Sequence, residues 1–346
     1  MFNLPPSRNR YSQIFIVVIL SSFIYVMARS ASLGVASFED NFFKKDLLIE
    51  VVARLRMKVG DRVFSQALIG KDGWIEYTGA NNIDDFQNAE SLENVEIIGK
   101  GLINLNTYLE SQGITLLVVI APNKASIYPD KLPEEIESLP VQSRLDSLIS
   151  YMAENKQPPI VLDLRPALRE ARQGEDVYYK TDTHWNGYGS FVAYTTIIDS
   201  LKSSNPELKP YDVADMKRVF FEPTVRDIPG LIHAEYITEA SFFLKPRKPF
   251  VETVYLEENL GYNQFSWIQD SRLPTLLMFH DSFGAARLND YLSMNFGKSH
   301  YIHYVSMPKY LTQENIQFFK PDVIIIEIVE RHLQLIPKYL PDFVLE

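Results

Sequence analysis

Four short apolar runs set the limits on what this chain can fold into. They are Ile114–Ile120, Ile160–Leu164, Thr275–Phe279 and the segment Pro321–Ile328. Each is too short for an independent helix and suits a strand covered on both faces. Between them lie segments of helical periodicity: Ile97–Gln112 stopping at Gly113, Gln142–Ala153, Leu164–Ala171, and a helix running from an Asn186 cap to Leu201. Alternating helices and buried strands predict an α/β domain with a mainly parallel sheet and helices on its faces. Several of these runs end in polar blocks: Pro122-Asn-Lys124, His280-Asp-Ser282 and Glu330-Arg331. The carboxyl ends of strands are where open α/β sheets bind ligands.

The rest of the chain adds three features. Tyr11–Ala28 is a run of 18 residues without a charge, preceded by Arg8 and Arg10. At about 1.5 Å per residue it spans roughly 27 Å, enough for a bilayer. It reads as a single-pass inner-membrane anchor with a cytoplasmic tip, over residues 1–30, or as a signal segment cleaved near Ala28-Arg-Ser30 or Ser30-Ala-Ser32. Either reading sends residues 31–346 into the periplasm or another extracytoplasmic space as one domain. Residues 37–58 have the three- and four-residue spacing of an amphipathic helix, and Gly70-Lys-Asp-Gly-Trp74 reads as a turn between strands at 63–69 and 74–77. Residues 203–272 are irregular and aromatic, and read as an insertion of short strands and loops covering the site.

The chemistry starts at Thr181-Asp-Thr-His-Trp-Asn186. Residues two apart on a loop or strand end point the same way, so Asp182 can hold one nitrogen of His184 and leave the other free. An oriented histidine of that kind activates a hydroxyl, and Ser282 stands where a strand gives way to a helix that starts at Phe283–Arg287, a junction that exposes the hydroxyl and aims backbone N–H groups at it as an oxyanion hole. Asp182, His184 and Ser282 are therefore the candidate catalytic set. A metal site using Asp182, His184, His280 and Asp281 is the rival, but no His-Glu-x-x-His pattern is present and no metal or other cofactor is expected. Without cysteine there is neither a thiolate nucleophile nor a disulfide, and 34 basic against 44 acidic residues show no basic patch for nucleic acid. Lys124, directly after a strand, is a candidate binding residue.

Taken in order, these blocks resemble those of the SGNH hydrolase-like O-acetyltransferases of bacterial exopolysaccharide systems, the alginate O-acetyltransferase group. The matching pieces are the N-terminal apolar segment, Gly70–Trp74, Pro122–Lys124 with Ile127-Tyr-Pro129, Thr181–Asn186, Asp281-Ser-Phe283 and Glu330-Arg331. The resemblance implies a three-layer sandwich with the usual SGNH block order circularly permuted, the Asp-His block preceding the serine block. It implies Ser282 as nucleophile, His184 as base, Asp182 as orienting acid, and binding or structural roles for Lys124, Tyr128 and Arg331. It further implies an acetyl-serine intermediate, an exopolysaccharide acceptor, and a membrane-bound O-acyltransferase partner that supplies acetyl groups. One departure stands out: His280 occupies the position where the family commonly has glycine. The same residues would serve a carbohydrate acetylesterase, and a catalytically silent polysaccharide-binding or assembly protein can keep the fold.

Overall fold

Strand side chains alternate between opposite faces, so each buried run contributes to two cores at once. The computed structural model describes residues 17, 20–25, 27, 28, 45–80, 94–137, 142–158, 160–247, 252–255, 264–268 and 272–341. They belong to two units, one of residues 1–61 with 233–235 and one of residues 62–232 with 236–346. In the first unit Lys45–Lys58 is a helix, the described part of the amphipathic segment expected over 37–58. Of the apolar run 11–28, residues 17, 20–25, 27 and 28 are described and helical, and the remainder lies outside the described residues. Among the described residues no helix is long and apolar enough to cross a membrane.

The second unit opens with a hairpin of β1 (Ala67–Ile69) and β2 (Ile75–Tyr77), turning at the predicted glycines. Then follow β3 (Thr115–Ala121), β4 (Val161–Asp163), β5 (Met216–Thr224), β6 (Glu239–Pro246), β7 (Glu252–Tyr255), β8 (Gln264–Trp267), β9 (Thr275–His280), β10 (Lys298–His303) and β11 (Val323–Val329). The main sheet has the order β4-β3-β11-β9-β10-β8-β7. Pairings from β4 to β10 are parallel, and those of β10 with β8 and of β8 with β7 are antiparallel.

On β3, Leu117, Val119 and Ala121 join one core with the helix Gly187–Leu201. Leu116, Val118 and Ile120 join the other with the helices Val95–Ser111 and Arg144–Glu154. On β11, Val323 and Ile325 side with the first core, and Ile324, Ile326 and Ile328 with the second. The mostly parallel α/β sandwich expected from the sequence is what the chain forms.

Two expectations change in detail. The segment expected as short strands and loops covering the site also contributes to the main sheet, which β7 and β8 extend. Gln264-Phe-Ser-Trp267 is not an apolar run, and in the sheet Ser266 is fully buried while Trp267 is exposed, so the segment gives no buried-strand signal. β5 and β6 do form a separate two-stranded ribbon. Residues Phe283–Arg287 do not begin a regular helix: Gly284–Leu288 makes a wide π-type turn, broken at Ala286 (φ −75°, ψ 58°) and Arg287 (φ 76°, ψ −15°).

Candidate active site

β3 leads outward to β4 on one side and β9 to β10 on the other, with β11 between β3 and β9. The chain therefore diverges at the carboxyl edge above the sheet centre, where a crevice forms. Lys124, Ser282 and Arg331 all sit at that edge, directly after β3, β9 and β11.

Asp182 and His184 reach the same place on a pinched loop. An isolated antiparallel bridge joins Tyr178 to Trp185, and Asn186 N–H donates to the Val177 carbonyl at 3.0 Å. The loop between has its polar backbone held from two sides. The Glu239 carboxylate on β6 accepts from Lys180 N–H (2.9 Å), Thr181 N–H (2.9 Å) and the Thr181 hydroxyl (2.6 Å). The Lys124 ammonium donates to the carbonyls of Ile75 (2.5 Å), Asp182 (2.8 Å) and Lys180 (3.2 Å). The helix Gly187–Leu201 begins where expected, with the Asn186 side chain accepting from the N–H groups of Tyr188 and Gly189.

Within this frame, His184 Nδ1 lies 2.7 Å from Asp182 Oδ1, and Nε2 lies 2.8 Å from Ser282 Oγ. Asp182 also accepts from His184 N–H at 3.1 Å, so it fixes the residue at backbone and ring together. Burial opposes ionisation of Asp182. The hydrogen bond and charge of His184, with help from Lys124, outweigh it and hold the carboxyl below its ordinary value. The three residues singled out from sequence thus come together across a gap of 98 residues.

Asp227, which sequence reasoning missed, is the second carboxylate here. It accepts from Thr183 N–H (3.0 Å) and the Thr183 hydroxyl (2.5 Å), and its Oδ2 is 3.9 Å from His184 Nδ1. Burial, then the charge of Asp182, raises its pKa. Nothing in a lone Asp-Ile-Pro within the irregular insertion marks it. Among the described residues, Asp182, His184 and Asp227 are also the set whose ligand atoms converge, within 4.8 Å of one another. The rival metal set differs, because His280 and Asp281 are buried behind the turn.

That turn is held from beneath. Asp281 accepts from Phe283 N–H (2.7 Å) and Val329 N–H (2.8 Å), while Glu327 Oε2 accepts from the N–H groups of Asp281 and Gly284, both at 3.0 Å. The backbone donors of Phe283 and Gly284 are therefore committed to carboxyls, and do not face a developing oxyanion as the sequence suggested. Burial pushes the Glu327 carboxyl well above its ordinary value, and Asp281 adds to the shift. His280 packs behind β9, fully buried, with Nδ1 donating to the Asp281 carbonyl at 2.7 Å. A Cβ on Gly284 would lie 2.5 Å from His280 Cβ. Histidine at 280 is accommodated because glycine stands at 284.

Lys124, Tyr128 and Arg331 are positioned differently from surface binding residues. Lys124 is 2% exposed with its ammonium on loop carbonyls. The Tyr128 hydroxyl accepts from Val177 N–H at 2.8 Å. Arg331 donates to Asn123 Oδ1 at 3.2 Å, turning the Asn123 NH2 group the other way. Glu330 accepts from Asn123 N–H (3.0 Å) and the Ser126 hydroxyl (2.6 Å), which fastens the end of β3 to the end of β11.

A cleft of about 310 Å³ adjoins Asp182 and His184 and is lined further by Phe221, Arg226, Phe243 and Arg287. Phe221 stacks on Phe243 at 5.5 Å, and the Arg287 guanidinium lies over Phe243 at 4.2 Å. Arg226 lies 4.3 Å over the Tyr179 ring, and its buried Nε and Nη2 have no hydrogen-bond partner among the described residues. A larger hollow of about 420 Å³ lies at the amino ends of the strands, by Gly113 and Pro158, away from this chemistry.

Comparison with known proteins gives the family of the chain. The family model described as "SGNH hydrolase-like domain, acetyltransferase AlgX" matches residues 67–245, more than half of the chain, and the protein belongs to that family. The match takes in Asp182, His184 and Asp227 and ends before Ser282. A Pseudomonas fluorescens protein called "Probable alginate O-acetylase AlgJ" is 24% identical over 317 residues, covering 86% of this chain and 75% of its own. The protein of the same name from Pseudomonas syringae pv. tomato is 29% identical over 158 residues, covering 45% of this chain and 38% of its own. Among solved structures, Bacillus cereus PatB1 superposes with a TM-score of 0.58 at 17% identity, over 80% of this chain and 98% of that one, a likeness of fold.

Proposed function

We propose that the protein is an O-acetyltransferase that moves acetyl groups to hydroxyls of a bacterial exopolysaccharide through an acetyl-Ser282 intermediate. The observation that carries this reading is the hydrogen-bonded line from Ser282 through His184 to Asp182, beside an aromatic cleft, in a chain of this family. The names of the relatives support it.

In the first half-reaction Ser282 Oγ attacks the carbonyl carbon of the donor ester as His184 Nε2 takes the hydroxyl proton. Asp182 stabilises the resulting imidazolium. The tetrahedral intermediate collapses, expelling the donor's alkoxide, which takes the proton from His184. In the second half a sugar hydroxyl gives its proton to His184 and attacks the acetyl carbon. Collapse then releases the Ser282 oxygen, which takes the proton back, and leaves the acetyl group on the sugar. The exposed Phe221 ring suits the apolar face of a sugar, and the two arginines offer donors to its oxygens.

On this reading residues 31–346 form the catalytic domain outside the cytoplasm. The apolar run before them anchors it to the inner membrane, and a membrane-bound O-acyltransferase supplies acetyl groups. The test is intact-mass analysis of the full-length protein with an activated acetyl ester. An acetyl adduct mapping to Ser282, absent from Ser282→Ala and His184→Ala, is the expected result. Added oligosaccharides should then collect the label. Release to water alone would make the protein an esterase, and no adduct on folded wild type would sink the acyl-enzyme reading.

A further inference from the structure

We infer that Asp227 is a positioning residue that locks the tautomer of His184 through the hydroxyl of Thr183. The inference rests on the reading of His184 as base. A base at Nε2 must carry its hydrogen on Nδ1, and the neighbours of Nδ1 decide whether it does. Three oxygens surround that nitrogen: Asp182 Oδ1 at 2.7 Å, Thr183 Oγ1 at 3.2 Å and Asp227 Oδ2 at 3.9 Å. Asp182 accepts only, and so calls for Nδ1–H. The Thr183 hydroxyl is ambivalent, since a hydroxyl can also donate to a bare Nδ1 and so favour the tautomer that cannot take the serine proton.

Asp227 removes the ambivalence. Its Oδ2 lies 2.5 Å from Thr183 Oγ1 and takes the hydroxyl hydrogen, so a lone pair faces Nδ1. Its Oδ1 accepts from Thr183 N–H at 3.0 Å and holds the residue in place while it does so. The two carboxylates act on one imidazole by separate routes, one direct and one relayed. Asp227 comes from the insertion, just after β5, so this segment completes the machinery rather than only covering it.

Asparagine at 227 reverses the relay. Its oxygen still suits the Thr183 N–H, but its NH2 group then faces Oγ1, donates to it, and turns the hydroxyl hydrogen toward Nδ1. A double-mutant cycle on ester turnover by the full-length protein tests this. Asp227→Asn alone should lower kcat about tenfold with KM little changed, whereas on a Thr183→Val background it should cost less than about threefold. Histidine-selective 15N spectra should show His184 as the Nδ1–H tautomer in wild type and a shifted tautomer population in Asp227→Asn. Losses that multiply across the cycle, an unchanged tautomer, or an unchanged kcat would each overturn the proposal. Inactive wild type would instead overturn the acetyl-serine reading on which it stands.

Discussion

At the residue scale, the carboxyls near the site are pushed in opposite directions. Partners hold the Asp182 carboxyl below its ordinary value, whereas burial pushes that of Glu327 well above. The folded chain therefore keeps a Glu327 proton that the unfolded chain releases above about pH 4.3. Stability from that proton is complete below this value and is lost as pH rises toward the folded pKa. Wild type should lose stability in urea titrations as pH rises above about 4.3, and Glu327→Gln should lose less. Parallel curves would mean that Glu327 is ionised. Arg226 makes a different prediction. With two buried N–H donors unpartnered beside the cleft, Arg226→Ala should raise KM for the acceptor severalfold, about 1 kcal/mol, and leave acetyl-enzyme formation intact. A lowered rate of acetylation by a small ester would contradict an acceptor role.

At the element scale, the helix Gly187–Leu201 carries the loop. A Cβ on Gly189 would lie 2.0 Å from the Val177 carbonyl oxygen, a backbone atom that has little room to move. Gly189→Ala should destabilise the protein by about 1–3 kcal/mol, measured by urea unfolding, and blur the position of His184 with it. The legibility of the sequence divides along the same line. Asn186 capping a helix, glycines turning a hairpin and apolar runs making strands are local signals, and all were readable. The Asp182-x-His184 spacing was readable because two residues on one loop share a side. What was not readable depends on contacts across the chain. Glu239 and Lys124 brace one loop from β6 and from the end of β3, with no local pattern to announce it. The committed N–H groups at the serine turn belong to this class too, since Glu327 looks like one polar residue in an apolar strand.

At the scale of the whole molecule, two apolar layers sandwich one sheet. Leu102 and Ile197 are both fully buried, on opposite sides. Leu102→Ala and Ile197→Ala should each cost about 2–5 kcal/mol. Their effects should add in the double variant, because the sheet separates them. Strongly non-additive losses would show that the layers do not unfold as neighbours around a rigid sheet.

The strand order has a consequence for biogenesis. β11, seated between β3 and β9, is the last of the sheet's strands to leave the ribosome, after every other strand has been made. Until it inserts, β3 and β9 have no partner on their inner edges, and the ends bearing Lys124 and Ser282 are not joined. A nascent or prematurely terminated chain can hold the serine, histidine and both aspartates, yet lack the strand that brings them to one edge. On the proposed reading, the serine can be acylated only once synthesis has passed Val329.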